Sequence, residues 1–215
     1  MLSRPVVFIV DDDPAVRCAL ERVLHGRGCE VRAFGSAREF LLAYDPTPAG
    51  CIILDLVLPE TDGLEVQEHL AAMGCRHPIL FLTGHGDIPA CVRAIKAGAL
   101  NFLDKPVEDA QLLRALDEAL AIDAEQRRLG SFRSAAEHRL ETLTPREREV
   151  IDHVVAGRLN KQIAADLGVV EDTVKMHRAR AMQKLGVRSV AELARLLLRT
   201  LPTRDGGGIS RHNGT

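Results

Sequence analysis

Long apolar runs are missing from this 215-residue chain; none reaches the roughly 18 residues that a membrane-spanning helix requires. The first apolar stretch is short and gives way at once to Asp11, Asp12 and Asp13, without the hydrophobic core or cleavage site of a secretory leader. The expected compartment is therefore the cytoplasm, with no membrane partner. Cysteine is sparse and unpatterned. Cys18, Cys29, Cys51, Cys75 and Cys91 make an odd set without a C-x-x-C pair, which excludes a disulfide framework and a cysteine zinc site. Buried, reduced thiols are expected instead. No internal repeat occurs, and neither sign of charge dominates: 28 Lys and Arg face 30 Asp and Glu, a net of −2.

What is present is ample apolar material, 46% of residues, enough for true hydrophobic cores. The length suits one large domain or two small ones. Charge divides them. Residues 1–121 hold 11 Lys and Arg against 18 Asp and Glu, a net of −7, whereas residues 140–200 hold 11 against 8, a net of +3. The first part suits cation or phosphate chemistry, and the second an anionic partner.

Hydrophobic periodicity predicts strands at 5–10, 30–34, 51–54, 78–83 and 100–103, alternating with helices at 14–27, 37–44, 64–73, 88–97 and 108–121. Such alternation, with strands apolar on both sides, implies a doubly wound parallel sheet covered by helices on both faces. Residues 122–142 are polar and rich in Arg and Glu, and are expected to be a linker, partly helical. From Thr144 the pattern is purely helical. Thr144 as N-cap, Pro145 at the first position and Glu147 completing a capping box start a helix that runs to about 156. Further helices are expected at 161–167, 171–185 and 190–199, separated by glycines. The tail, 201–215, is expected to be disordered.

In doubly wound sheets, ligands sit beyond the carboxyl ends of the strands. Here those ends carry Asp11, Asp12 and Asp13 after the first strand, Asp55 after the third, Thr83 after the fourth and Lys105 after the fifth. Clustered carboxylates call for a hard divalent cation, Mg²⁺ where phosphate is involved. With a lysine and a hydroxyl nearby, the set suits phosphoryl transfer to a carboxylate. Asp13, ahead of Pro14, reads as a helix N-cap rather than a ligand.

The segments VDDD at 10–13, LDLVLPETDG at 54–63, LTGHGD at 82–87 and LDKP at 103–106 closely resemble the receiver domain of two-component response regulators. The resemblance covers residues 4–121. It implies a flavodoxin-like α/β fold and Asp55 as phosphoacceptor. It implies Mg²⁺ held by Asp12, Asp55, the Val57 carbonyl and Asp11, the last through water. Thr83 and Lys105 correspond to the phosphate-sensing pair, Phe102 to the switching aromatic, and the Lys105–Pro106 bond to one commonly cis. His85 reads as a loop residue, with rate tuning as its alternative. The D-x-D spacing of Asp11 and Asp13 also resembles haloacid-dehalogenase-type phosphatases, but that leaves Asp55 unexplained and offers no cap domain.

Short helices joined by glycine turns, with a basic third helix, form a helix-turn-helix pattern. On a helical wheel Lys175, Met176, Ala179, Arg180 and Gln183 lie opposite Val174, Ala181 and Leu185. Residues 143–199, with LTPRE, G-x-x-N-K-x-I-A, T-V-x-x-H and K-L-G-V-R-S, resemble the four-helix LuxR/NarL/FixJ-type DNA-binding domain, and the whole chain is most similar to FixJ-like regulators. The resemblance implies Lys175 and Met176 as base contacts. It implies Asn160, Lys161, Thr173, Arg178, Arg180, Lys184 and Arg188 as backbone contacts. Val190, Leu193, Leu196 and Leu197 would pair two such domains. Two departures stand out: Val170 where the family has Ser or Thr, and Ala179 where a polar residue is common. The expected organisation is a receiver at 1–121, a linker at 122–142, a DNA-binding domain at 143–200 and a tail. The implied function is transcriptional control by phosphorylation, with no enzymatic turnover beyond self-phosphorylation and autodephosphorylation. The implied partners are a sensor histidine kinase, double-stranded DNA, a second copy of the chain and RNA polymerase. An atypical receiver serving only as a constitutive dimerisation module is the alternative.

Overall fold

The computed structural model describes residues 4–59, 61–84 and 88–200; His85 and the tail fall outside the described residues. The chain divides into two units, Met1–Arg128 and Leu129–Thr215.

In the first unit, β1 (Val6–Val10), β2 (Glu30–Phe34), β3 (Gly50–Asp55), β4 (Ile79–Thr83) and β5 (Asn101–Asp104) alternate with α1 (Pro14–Gly26), α2 (Ala37–Ala43), α3 (Gly63–Ala72), α4 (Ile88–Lys96) and the first part of α5 (Asp109–Glu141), whose later turns belong to the second unit. The strands form one parallel sheet in the order β2-β1-β3-β4-β5, as the alternation predicted. Strand order reverses direction at β1, which opens the ligand crevice at the ends of β1 and β3. Register makes the ends converge: Val10 pairs with Leu54, Asp55 with Leu82, and Thr83 with Asp104.

Side-chain alternation explains why the central strands are apolar throughout. Phe8, Ile52, Leu54 and Phe81 enter the core on one face, while Ile9, Ile53, Leu80 and Leu82 enter the core on the other. Because both faces are dry, the central strands β1, β3 and β4 carry no polar residue until the chain reaches the crevice, whereas the edge strands β2 and β5 carry Glu30, Arg32 and Asn101. Asp13 caps α1 as expected, its Oδ1 accepting from the Ala15 N–H at 2.8 Å. Cys29 and Cys51 are buried, but Cys18 is exposed, which corrects the expectation for that thiol. It lies off the α1 stripe of Leu20 and Leu24 that faces the sheet.

The expected end of α5 at residue 121 is also corrected: the helix runs to Glu141. Its added turns contain a buried carboxylate, Asp123, 1% exposed. Asp123 Oδ2 accepts from the Gly50 N–H at 3.0 Å, and Arg127 Nε donates to both Asp123 oxygens at 2.7 and 2.9 Å. Arg127 also donates to the Thr47 carbonyl at 2.8 Å and lies 3.0 Å from His77 Nε2. Asp123 and Arg127 thereby close the end of the sheet opposite the crevice. Gly50 is required there, since a Cβ would meet the Val6 carbonyl oxygen at 1.8 Å.

The second unit holds α6 (Pro145–Val155), α7 (Asn160–Leu167), α8 (Glu171–Leu185) and α9 (Val190–Thr200). Val150, Ile151, Val154, Ile163, Val174, Ala181, Leu185 and Leu193 form its core, joined by Leu140. The predicted capping box at Thr144 and Glu147 is present, and Gly168 and Gly186 end their helices at φ 65° and 67°, a left-handed conformation that favours glycine. Val170, at the N-cap of α8, supplies no side-chain hydrogen bond.

Candidate functional site

Two strand ends deliver the carboxylates of the acidic cleft. Asp11 follows β1 and is fully buried; Asp55 ends β3 and is 6% exposed; Asp12 is exposed. One oxygen from each lies within 4.8 Å of the others. Lys105, just past β5, places Nζ 2.6 Å from both Asp11 Oδ2 and Asp55 Oδ2. The Lys105–Pro106 peptide is cis, and the Lys105 N–H donates to the Thr83 carbonyl at 2.8 Å. Asp11 Oδ1 accepts from the Asp13 N–H at 2.9 Å, and Asp55 Oδ1 from the Val57 N–H at 3.1 Å. Burial raises the Asp11 carboxyl above the usual carboxylate range, with the adjacent Lys105 ammonium opposing it. Burial works against the Lys105 ammonium too, but its close pairing with Asp11 and Asp55 outweighs that and leaves it raised.

The cleft beside Asp55 has a volume of about 560 Å³ and is walled by Val57, Asp62, Thr83, Ala90, Arg93 and Lys105. Thr83 is buried at its floor. Phe102, half-buried, stacks on Phe81 at 5.3 Å between ring centroids. Asp62 caps α3 and bridges to Val57, holding the loop after β3. Arg93 and Asp62 were not singled out from sequence, since an arginine in a helix and an aspartate before a glycine look like ordinary surface residues.

The donor set fits a hard cation. Neighbouring oxygens around Mg²⁺ are roughly 3 Å apart and opposite ones roughly 4.2 Å at its usual bond length; one oxygen from each of the three carboxylates lies within 4.8 Å of the others, a spread that small side-chain shifts would bring onto one ion. Asp11 Oδ2 is a buried acceptor that touches the Lys105 ammonium without a well-angled hydrogen bond. A bound cation, or water held by one, would share it with Lys105.

Gly63 is a third residue that sequence reading passed over. A Cβ there would lie 2.4 Å from the Asp55 carbonyl oxygen and 3.0 Å from Leu56 Cα, both rigid backbone. Gly63→Ala is expected to destabilise the first unit by about 1–3 kcal/mol, the range for overpacking a tight site. Urea unfolding checks it, and an unchanged midpoint would refute the close approach.

In the second unit Lys175, Met176, Ala179, Arg180 and Gln183 are exposed on α8, opposite buried Val174, Ala181 and Leu185, as the helical wheel predicted. Lys161 and Arg188 are exposed and Thr173 is half-buried. Arg178 Nη1 donates to Asn160 Oδ1 at 3.0 Å, so these two candidates brace α8 against α7. Lys184 differs from expectation. Its ammonium is held by Glu147 Oε2 at 2.6 Å and the Thr142 carbonyl at 3.1 Å, an internal tie rather than an outstretched phosphate contact. Leu193 corrects the proposed pairing surface: it is fully buried in its own unit, and Leu196 and Leu197 pack against the same core. The apolar stripe of α9 covers α6 first, which leaves Val190, 38% exposed, as the most open of the four.

The Glu147 carboxyl is lowered, first by its bond to Lys184 and then by the Thr144 N–H. A carboxyl lowered in the folded state adds stability above its unfolded pKa of about 4.3 and loses it as pH falls through the folded value. The second unit should therefore weaken as pH drops below about 4.3. Lys184→Met should flatten that part of the profile, read by thermal melts across pH. An unaltered slope would show that the pair carries no linkage.

Comparison with known proteins completes the picture. The model for "Response regulator receiver domain" matches residues 7–117, and that for "Bacterial regulatory proteins, luxR family" matches 141–197. Nodulation protein W of Bradyrhizobium diazoefficiens is 43% identical over 194 residues, spanning 90% of this chain and 86% of that protein. Transcriptional regulatory protein FixJ of Azorhizobium caulinodans is 41% identical, spanning 89% and 91%. Among solved structures, response regulator StyR aligns with a TM-score of 0.83 and 45% identity, covering 92% of this chain and all of that one. Full-length FixJ from B. japonicum aligns with a TM-score of 0.58 and 34% identity, covering 92% and 98%.

Proposed function

Because this chain belongs to the response regulators that join a receiver domain to a LuxR-type DNA-binding domain, we propose that a phosphoryl group on Asp55 sets how its C-terminal unit engages DNA. The observation that carries the assignment is the pairing of Asp55 Oδ2 with Lys105 Nζ at 2.6 Å at the mouth of a cleft floored by Thr83. A carboxylate so placed can attack phosphorus, and the Lys105 ammonium can neutralise the phosphoryl oxygens once they arrive. Asp11, Asp12, Asp55 and the Val57 carbonyl would hold Mg²⁺, which supplies charge neutralisation and orientation when bound.

This chain's own residues do the switching. Thr83 donates a hydrogen bond to a phosphoryl oxygen, and Phe102 follows it inward from its stack on Phe81. The phosphorylated form favours one of two packings of the face made by α4, β5 and α5, since only that packing lets Thr83 and Lys105 reach the phosphate. The donor is a sensor histidine kinase. The outcome is pairing of two copies, so that two α8 helices reach half-sites about one helical turn apart, with RNA polymerase as the downstream partner and the cytoplasm as the compartment. The receiver is taken as 1–121, the linker as 122–142 and the DNA-binding domain as 143–200. Within this reading the protein acts as a regulator, with self-phosphorylation and autodephosphorylation its only chemistry.

The test combines two measurements on the full chain. Incubation with a small acyl phosphate and Mg²⁺ should add one phosphoryl group by intact mass. DNA selected from random duplexes should then be bound more tightly by the modified protein. No mass gain from donor or kinase, with DNA binding unchanged, would favour a constitutive dimerisation module.

A further inference from the structure

The acidic cleft has a second cation besides Lys105. Arg93 lines the same cleft of about 560 Å³ as Asp55, Thr83 and Lys105, and it stands on α4 rather than at a strand end. Two local features aim it there. Helical side chains lean toward the N-terminus of their helix, and α4 follows β4, whose carboxyl end opens into the crevice. Ala90, three residues earlier and so on the same face, lines the cleft too and is small enough to leave the path clear. The adjoining backbone is anchored: Gln67 Nε2, buried on α3, donates to the Ala94 carbonyl at 3.2 Å. Arg93 itself is exposed and belongs to neither face's core, and among the described residues no ion pair holds its guanidinium.

Charge gives this side chain a task. Asp11, Asp12 and Asp55 carry three negative charges and Lys105 one positive, so a divalent cation would balance the unphosphorylated centre. Phosphorylation exchanges the single charge of Asp55 for the roughly two of a phosphoryl group. The centre is then left with about one negative charge in excess. Lys105, 2.6 Å from both Asp11 and Asp55, is already counted in that balance. A guanidinium on the cleft wall supplies the missing charge, with forked donors that match phosphoryl oxygens.

We infer that Arg93 is a second phosphoryl-binding cation, which closes onto a phosphoryl oxygen of modified Asp55 and gives α4 a direct hold on the phosphate. This rests on the reading of Asp55 as the phosphoacceptor. Thr83 and Lys105 stand at strand ends, which the sheet fixes in place. Arg93 stands on a helix, so its contact turns phosphate binding into a pull on α4.

Beryllofluoride, which adds to a carboxylate as a tetrahedral mimic of a phosphoryl group, is the probe. Its binding to the full chain in Mg²⁺ is measured by titration calorimetry, beside the binding of Mg²⁺ alone. Arg93→Met should weaken the mimic roughly fivefold, the size expected of a charge-assisted hydrogen bond at an exposed site. Mg²⁺ alone should bind no more weakly than in the parent. Arg93→Lys should recover part of the loss. Added salt should lower mimic affinity more in the parent than in Arg93→Met. Arg93 is exposed, so the thermal melts should coincide. Mimic binding by Arg93→Met equal to the parent's would overturn the inference and leave Asp55 standing as the acceptor. So would an equal weakening of Mg²⁺ alone, which would mark a general disturbance of the cleft. A parent chain that takes up no beryllofluoride would overturn this inference and the Asp55 reading together.

Discussion

In Asp55→Asn, phosphoryl uptake is expected to vanish, with no mass gain after incubation with a small acyl phosphate and Mg²⁺. The substitution is close to isosteric, so the fold should persist. The amide oxygen can still accept from the Val57 N–H, 3.1 Å from Oδ1 in the parent. What disappears is the anionic oxygen that attacks phosphorus and pairs with Lys105 at 2.6 Å. Removing one of three clustered carboxylates also relieves repulsion, so thermal stability should hold or rise. Loss of modification with a retained melt is therefore the signature. An Asp55→Asn protein that still gains one phosphoryl group would move the acceptor to another carboxylate and overturn the assignment.

Lys105→Ala has the second large effect, and its sign depends on the metal. Without divalent cations the variant leaves the fully buried Asp11 carboxylate without the cation paired to it. Removing one member of a buried pair costs about 3–5 kcal/mol, and the open cleft puts this site at the lower end. Mg²⁺ should restore much of that loss, because it replaces the missing positive charge. The variant should also bind Mg²⁺ more tightly than the parent. At about 4 Å and an effective dielectric of 20, two unit charges repel by roughly 4 kcal/mol each. Lys105 is 21% exposed and can swing away, so about tenfold, or 1.4 kcal/mol, is the expected gain. Yet phosphorylation should no longer alter DNA binding, since the ammonium that reports the phosphate is gone. Melts with EDTA or Mg²⁺, metal titration and DNA binding read the three parts. Normal phosphorylation-dependent DNA binding by Lys105→Ala would defeat the switch.

The sequence made the sheet and the cleft readable for the same reason. Strands such as Ile52–Leu54 are dry on both faces, so the first charged residue in each marks where the strand leaves the core. Asp55, Thr83 and Lys105 stand out because hydrophobic neighbours announce them. Helix starts were legible where a side chain caps them, as at Asp13 and Thr144. The added turns of α5 were not, because a helix dressed with pairs such as Arg128–Glu125 and Arg133–Glu137 has no apolar stripe to count. Composition told which residues on the second unit are cationic but not which are already engaged. Lys184 is committed to Glu147, and no spacing rule joins residues 37 apart. The stripe of α9 was visible, but a stripe does not name what covers it, and Leu193 lies inward.

The Asp123–Arg127 pair bears on how the protein can be dissected. A fragment cut at residue 121, where the apolar pattern stops, would lose the carboxylate that accepts from the Gly50 N–H and the guanidinium that donates to the Thr47 carbonyl. Such a piece would begin its third strand on an unsatisfied amide, next to a glycine backbone too crowded to shift. A cut after Arg128 keeps that seal intact. Purified fragments ending at the two positions should thus differ in solubility and melting, although they share every residue of the phosphoryl cleft.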